Sequence, residues 1–380
     1  MRYRSFGSEE WHPSALGFGA MRLPLLKPGS PSSIDEDLSS AMLDYAIDHG
    51  VNLLDTAYPY HAGESERFLG RYLERRRPGH VLLSTKLPSW KIESRDDMDR
   101  FFEEQLARLR RDSFDIYLLH GLDHQSWEKL SGLGVLDWAA RRMADGEISR
   151  LGFSFHDGPE DFRHIIDAWD GWSCCMLQYN YMDVDRQAGA DGVRYAASRG
   201  IAVIAMEPLR GGQLSRRPPE GVRRLWEASA RRMSAVEWAL QWVWDQPEVS
   251  LLLSGMASME QVRQNVEFAC RSGPGTLSDP ERGLVAEVRS EYRKLSAIDC
   301  TGCGYCLPCP EQILIPYLFD LFNSAYLYDD LDGMRRAYGW IRREARADAC
   351  TSCGHCESRC PQGLRVPELL ARVHERLGSG

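Results

Sequence analysis

Residues 38–61 read Leu38-Ser-Ser-Ala-Met-Leu-Asp-Tyr-Ala-Ile-Asp-His-Gly50-Val-Asn-Leu-Leu-Asp55-Thr-Ala-Tyr58-Pro-Tyr60-His61 and hold one full beat of the fold. Apolar side chains recur at helical spacing through Leu38–His49, and Gly50 supplies the stop expected at a helix C-terminus. The short apolar run Asn52–Asp55 then reads as a strand. It ends in side chains able to do chemistry: an aspartate, two tyrosines and a histidine. The same beat continues on both sides. Strands are predicted at Leu16–Ala20, Asn52–Asp55, Val81–Lys86, Ile116–His120, Ile148–Ser154, Met176–Gln178, Ala202–Met206 and Ser250–Ser254. Helices are predicted at Leu38–His49, Ser65–Arg76, Met98–Leu109, Val135–Ala144, Asp161–Trp169, Gly192–Ser198, Ala235–Val243 and Met259–Ala269. Eight strand–helix units within residues 1–271 match an α/β fold of the (β/α)8 TIM-barrel type in number and length. The rival doubly wound sheet carries a GxGxxG turn after its first strand, and none stands here. The first fourteen residues read as a hairpin in front of the barrel.

Beyond the barrel the composition shifts. Ser272-Gly-Pro-Gly-Thr276 is a loop, and Ser278-Asp-Pro-Glu281 reads as a helix start leading into Glu281–Leu295. Residues 272–299 are thus a linker and helix, and 300–380 a second domain. Within it Ile315–Tyr338 is aromatic-rich and helical in pattern, with Gly333 as its expected break.

The eleven cysteines fall unevenly. Residues 1–173 hold none, and Cys174, Cys175 and Cys270 read as buried apolar side chains. The other eight form two runs, Cys300-Thr-Gly-Cys303-Gly-Tyr-Cys306-Leu-Pro-Cys309-Pro and Cys350-Thr-Ser-Cys353-Gly-His-Cys356-Glu-Ser-Arg-Cys360-Pro. The second run has the spacing of bacterial ferredoxins, and the first is one residue short before its last cysteine. Two-residue gaps let a turning loop aim successive thiolates at one cubane, and glycines 302, 304 and 354 let the backbone bend. In two-cluster ferredoxins the fourth cysteine of each run serves the other cluster. Cys300, Cys303, Cys306 and Cys360 are therefore assigned to one [4Fe–4S] cluster, and Cys350, Cys353, Cys356 and Cys309 to the other. A zinc site would leave four thiols unused, and disulfides would need an oxidising compartment.

The chain has 380 residues, a net charge of −9, 43% hydrophobic and 27% charged residues. That balance is of an ordinary globular protein and disfavours a general binder of nucleic acid or anionic membrane. No run is long and apolar enough for a transmembrane helix, and the start, MRYRSFGSEEWHPSALG, lacks a signal peptide's apolar stretch. A reducing, cytoplasmic location is expected.

Chemistry in such a barrel sits at the C-terminal ends of the strands. Asp55 ends the second strand with Tyr60 just beyond it, Lys86 ends the third, and His120 ends the fourth. Lys86 stands out, because only five lysines (27, 86, 91, 129 and 294) occur among the 46 lysines and arginines. These motifs, with Gly50-Val-Asn-Leu-Leu-Asp55-Thr-Ala-x-x-Tyr60, Ser65-Glu66, Ser84-Thr-Lys86, Asp115-Ile-Tyr-Leu-Leu-His120, Gly146-Glu-Ile-x-x-Leu-Gly-Phe-Ser154, Gln178-Tyr-Asn180 and Glu260-Gln261-Val-x-x-Asn265, resemble the aldo/keto reductase family over residues 2–270. The whole chain is similar to the subgroup with a C-terminal ferredoxin-type [4Fe–4S] dicluster domain.

The resemblance implies hydride transfer between a nicotinamide cofactor, NADP or NAD, and a small carbonyl or alcohol substrate. It implies that Tyr60 is the general acid, that Lys86 lowers its pKa, that Asp55 holds Lys86 and contacts the cofactor ribose, and that His120 orients the carbonyl. It implies cofactor contacts from Ser154, Gln178, Met206, Pro208, Leu209, Gly255, Gln261, Gln264 and Asn265. Phe155 stands where many members have Asn, and Met206 where many have an aromatic stacked on the nicotinamide. His61 and His156 border the substrate pocket or tie loops together. A hydride carries two electrons while each cluster accepts one, and no flavin motif bridges the two. Two readings follow. One is a carbonyl reductase or alcohol dehydrogenase stabilised or regulated by its clusters. The other is an electron-transfer or redox-sensing protein, with a redox partner protein, whose barrel binds a nucleotide or partner.

Overall fold

Eight parallel strands close into a barrel in strict chain order: β1 (Leu16–Gly19), β2 (Leu53–Asp55), β3 (Leu82–Leu87), β4 (Ile116–Leu122), β5 (Leu151–Phe155), β6 (Cys174–Gln178), β7 (Ala202–Met206) and β8 (Val249–Gly255), with β8 pairing back onto β1. This computed structural model describes residues 1–77, 79, 81–295 and 297–378. Ser296 of the expected linker and the last two residues of the expected 300–380 domain lie outside the described residues. The strands are nearly all buried, which is why they read as unbroken apolar runs rather than alternating ones. Alternate residues point inward: Ile116 and Leu118, Cys174 and Met176, Ala202 and Ile204, and Leu251 and Leu253 fill the interior together with Leu53 and Phe6. Phe6 comes from the N-terminal hairpin, which forms through antiparallel bridges Tyr3–Ser14 and Phe6–Glu9.

Strand register builds the rim. Asp55 pairs with Ser84, and Lys86 pairs with Leu118. Side chains two apart along a strand share a face, so Lys86 stands one step beyond Asp55, and His120 one step beyond Lys86. The tilt of a closed barrel thus gathers three strand ends onto one inward-facing ledge.

The helices follow the predicted beat with two additions, His124–Gly132 and Glu220–Ala228. Both are short and carry few apolar residues. The first is started by a capping box in which Asp123 accepts from the Ser126 amide and Ser126 reaches back to the Asp123 amide.

Residues 1–208 and 240–277 form one compact unit, and residues 209–239 and 278–380 form a second. The second unit therefore includes both the helix Asp279–Leu295 and the excursion that follows β7. Its cysteine loops are framed by the helices Ile315–Leu327, Leu331–Gly339 and Val366–Leu377, around a core that includes Ile315, Leu318, Phe319, Phe322, Leu370 and Val373. Gly302 and Gly304 take φ of 72° and 84°, the left-handed bends that the cysteine spacing requires. Gly333 does not break the aromatic helix. The break lies at residues 328–330, where Asp329 has a φ of 51° and Asp330 caps the next helix by accepting from the Gly333 amide. A side chain at 333 would strike that capping carboxylate 2.1 Å away, so this glycine serves the cap. Cys270, expected to be buried, is exposed at the end of its helix; Cys174 and Cys175 are buried on β6. No helix among the described residues is long and apolar enough to cross a membrane.

Candidate active site

The ledge is centred on a buried ion pair. Lys86 Nζ donates to both carboxylate oxygens of Asp55, at 2.8 and 2.7 Å, and to the Thr56 carbonyl at 2.6 Å. Lys86 is 1% exposed and Asp55 3%. Burial pushes the Asp55 carboxyl up and the Lys86 ammonium down, while their mutual attraction opposes both shifts. Such a pair survives only with close geometry and further hydrogen bonds, and the Thr56 carbonyl supplies one.

Tyr60 lies in a short turn after β2. His61 and Ala62, the next two residues, both hold left-handed backbone, with φ of 54° and 55°. His61 fixes this turn, accepting from the Leu23 amide at Nε2 and meeting the Pro31 carbonyl at Nδ1. Its role is therefore to tie loops together. The Tyr60 ring centroid is 4.9 Å from Lys86 Nζ and 6.2 Å from the His120 ring.

In the protein without cofactor or substrate, the Tyr60 phenol is pushed above its ordinary value. Burial is the main cause, Asp55 and Glu207 add to it, and Arg22 opposes it. Lys86 Nζ is at the same time engaged by both Asp55 oxygens. His120 is pushed well below its ordinary value by burial, then by the charges of Lys86 and His156, and is neutral near pH 7. Among the described residues its Nδ1 has no hydrogen-bond partner. Burial holds His156 down to about 4.

Several supporting residues were not singled out by the sequence reading. Trp90, just beyond β3, meets the His120 ring edge-on at 5.0 Å and is 46% exposed, so it borders the ledge. Beneath Lys86 lies a buried polar network. Glu66 accepts from Thr85 Oγ1 at 2.8 Å, Gln105 Nε2 at 2.6 Å and Arg108 Nη1 at 3.1 Å. Gln105 also donates to the Lys86 carbonyl at 3.0 Å and accepts from the Tyr117 hydroxyl at 2.7 Å. The readable signal was Glu66 itself, a charge in line with Leu69 and Leu73 on the buried stripe of its helix.

The residues expected to contact a cofactor are distributed around the strand ends. Ser154, on β5, accepts from the Gly121 amide at 2.7 Å. Gln178, ending β6, donates to Asp183 at 2.9 Å, and Asn180 donates to the same oxygen at 3.0 Å. Met206 ends β7 and Pro208 follows, while Leu209 opens the second compact unit. Gly255 ends β8; beyond it Gln261 accepts from the Ala257 amide, Gln264 donates to Glu260, and buried Asn265 donates to Ser254.

In the second unit the structure sorts the eight cysteines into two cavities. One is lined by Cys300, Cys303, Cys306 and Cys360. The other is lined by Cys309, Cys350, Cys353 and Cys356, and Cys306 lines it too. Among the described residues no three His, Cys, Asp or Glu side chains stand close enough to share one metal ion. Burial is the main reason that Cys300 and Cys306 are held up to about 12, an environment in which a thiolate needs a cation beside it.

Comparison with known proteins completes the picture. The aldo/keto reductase family profile matches residues 15–271, and that of the 4Fe-4S dicluster domain matches residues 299–364. L-galactose dehydrogenase of Arabidopsis thaliana is 28% identical over 283 residues, covering 69% of this chain and 86% of that protein. Methylglyoxal reductase YeaE of Escherichia coli is 27% identical over 231 residues, covering 59% of this chain and 76% of that protein. The holo form of aldo-keto reductase AKR11C1 from Bacillus halodurans matches with a TM-score of 0.60 and 26% identity, over 76% of this chain and 96% of its own. This chain belongs to the aldo/keto reductase family, and its C-terminal region is a ferredoxin-type 4Fe-4S domain.

Proposed function

We propose that the barrel transfers a hydride between NAD(P)H and the carbonyl or alcohol carbon of a small-molecule substrate. The observation that carries this reading is the gathering of half-buried Tyr60 with buried Lys86, Asp55 and His120 on one ledge. Tyr60 protonates the oxygen that becomes an alkoxide. Asp55 and Lys86 hold each other and keep the floor of the site rigid and neutral. Neutral His120 hydrogen-bonds the carbonyl oxygen and orients it. Trp90 shields that oxygen from water. Placing donor and acceptor in one pocket supplies much of the rate.

A bound nicotinamide cofactor supplies the hydride. Ser154, Gln178, Met206 and Pro208 would hold its ring end; a thioether packs against a ring face with less rigidity than an aromatic. Gly255, Gln261, Gln264 and Asn265 would hold its adenosine end. NADP and NAD both fit this assignment. The names of two relatives, one acting on a sugar and one on methylglyoxal, support a small, oxygen-rich substrate.

In the C-terminal domain we assign Cys300, Cys303, Cys306 and Cys360 to one [4Fe–4S] cluster and Cys309, Cys350, Cys353 and Cys356 to the other. The two cavities support this, each lined by its four assigned cysteines, with Cys306 lining both. The same cavities favour a second reading, an electron-transfer or redox-sensing role with a protein partner. A binding-only barrel has no need of a proton donor, and that weighs for the reductase. Tyr60→Phe decides between them: it should abolish carbonyl-dependent oxidation of NAD(P)H while nucleotide binding, followed by nicotinamide fluorescence, persists. Unchanged turnover would move the chemistry elsewhere. Cluster bleaching by NADH or NADPH without any carbonyl compound would favour electron transfer.

A further inference from the structure

The excursion after β7 shares a compact unit with the cysteine loops. Its first turn, Arg210–Ser215, is kinked, with Arg210, Gly211 and Gly212 at φ of 50°, 65° and 93°. The turn grips residues 299–301 in three ways. Arg210, 4% exposed, donates from Nη2 to Asp299 Oδ1 at 3.3 Å. Arg210 Nη1 also donates to Gln213 Oε1 at 3.3 Å, and Gln213 Nε2 donates to the Cys300 carbonyl at 2.7 Å. A Cβ on Gly211 would stand 2.0 Å from the Thr301 carbonyl oxygen, so a side chain there would push the cysteine loop away.

The two charges of the ion pair do not cancel in effect. The Arg210 side chain is 5% exposed and that of Asp299 47%. Water screens the aspartate far more than the guanidinium, so Asp299 offsets only part of the Arg210 charge.

We propose that Arg210 is a positioning residue for the cluster assigned to Cys300, Cys303, Cys306 and Cys360: its buried charge raises that cluster's reduction potential, while Gln213 and Gly211 hold the loop bearing the ligands. The proposal rests on the two-cluster reading. In reduction the cluster takes one electron from a sulfur-oxyanion reductant such as dithionite. No bond to the protein forms or breaks, and the cluster with its thiolates becomes more negative by one charge. A buried cation stabilises that state. Neutralising Arg210 shifts the potential to more negative values, and neutralising Asp299 shifts it the other way.

The test uses the full chain purified anaerobically, with iron analysis and redox titration by dithionite and ferricyanide followed by electron paramagnetic resonance. The natural protein should hold about eight irons and give two reducible centres. In Arg210→Gln one centre should move to a more negative midpoint while the other stays. Arg210→Lys should restore the midpoint, and Asp299→Asn should move it to less negative values. Gly211→Ala should lose about half of the iron. Absence of iron from the natural protein would defeat the two-cluster reading. Full iron, with the midpoints of Arg210→Gln and Asp299→Asn unchanged or shifted in the same direction, would defeat this proposal alone. Should Arg210→Gln fail to keep its iron, the sign of the shift in Asp299→Asn decides by itself.

Discussion

Lys86→Met keeps much of the side chain's bulk and removes its charge. Three close hydrogen bonds disappear, two of them to Asp55, in a place only 1% exposed. The stranded carboxylate then has two ways to relax. If it stays ionised, an unpaired buried charge costs about 3–5 kcal/mol. If it takes up a proton, the cost at pH 7 is that of protonating a group whose unfolded pKa is about 3.9, at ~1.36 kcal/mol per pH unit, or roughly 4 kcal/mol. The second route has a pH signature. The folded variant binds one more proton than its unfolded chain, so its stability falls as pH rises between the unfolded and folded pKa values of Asp55. Its deficit against the natural protein should shrink from ~4 kcal/mol at pH 7 to ~1.5 kcal/mol at pH 5. Urea denaturation followed by circular dichroism at both pH values measures it. The double variant Asp55→Asn/Lys86→Met, with no charge to strand, should recover most of the loss. A single variant as stable as the natural protein at pH 7, or a double variant no better than the single, would refute the view that these charges depend on each other.

Glu66→Ala should lower the urea midpoint by an amount worth about 3 kcal/mol, because it leaves the Thr85, Gln105 and Arg108 donors buried without their acceptor. Glu66→Gln should cost less, and an unchanged midpoint for Ala would show that the network is not structural. Anaerobically purified protein should contain about eight irons and give a reduced-cluster resonance signal. Stoichiometric zinc with no iron would overturn the cluster assignment.

Much of the site was legible because of where a barrel puts its chemistry. Asp55, Lys86 and His120 sit at the ends of apolar strands, and a chain that repeats one beat eight times can be aligned by eye. Register then converts separate motifs into one ledge, with Asp55 opposite Ser84 and Lys86 opposite Leu118. The supporting residues were harder. Glu66, Thr85, Gln105 and Tyr117 come from two helices and two strands, and their partnership depends on side-chain reach rather than spacing. Trp90 looked like any aromatic near a loop. The excursion 209–239 could not be joined to the cysteine domain from sequence, because its ties, among them Arg210 to Asp299, Gln213 to Cys300, Arg216 to Asp320 and Tyr328 to Arg217, carry no motif. Gly333 misled because glycine usually ends a helix, whereas here it clears space for a capping aspartate. Cys270 misled because a cysteine at a helix end has no partner stripe to show which way it points.

In the proposed reaction, with Tyr60 as proton donor, its raised pKa bears on the direction of catalysis. A proton donor need only be a stronger acid than the alcohol it creates, and hydroxyl groups of that kind lose a proton with a pKa near water's ~15.7. A half-buried phenol whose value lies above about 10 but below that of the alcohol meets that condition. It also stays protonated at rest, so the donor is always loaded. Reduction should therefore be flat in kcat/KM from pH 6 to 9, and His120, pushed far below its ordinary value, should add no limb there. Alcohol oxidation is the opposite case. It needs the phenolate as base, a minor species throughout this range, and should climb by about tenfold per pH unit. Initial rates in both directions, on one substrate pair across pH 6–9, separate the two. A reduction rate that falls through pH 7–8 would mean a donor titrating near neutrality, with Lys86 lowering the phenol in the working complex despite its engagement with Asp55. Flat reduction with rising oxidation would show that no ammonium tunes Tyr60 into the neutral range.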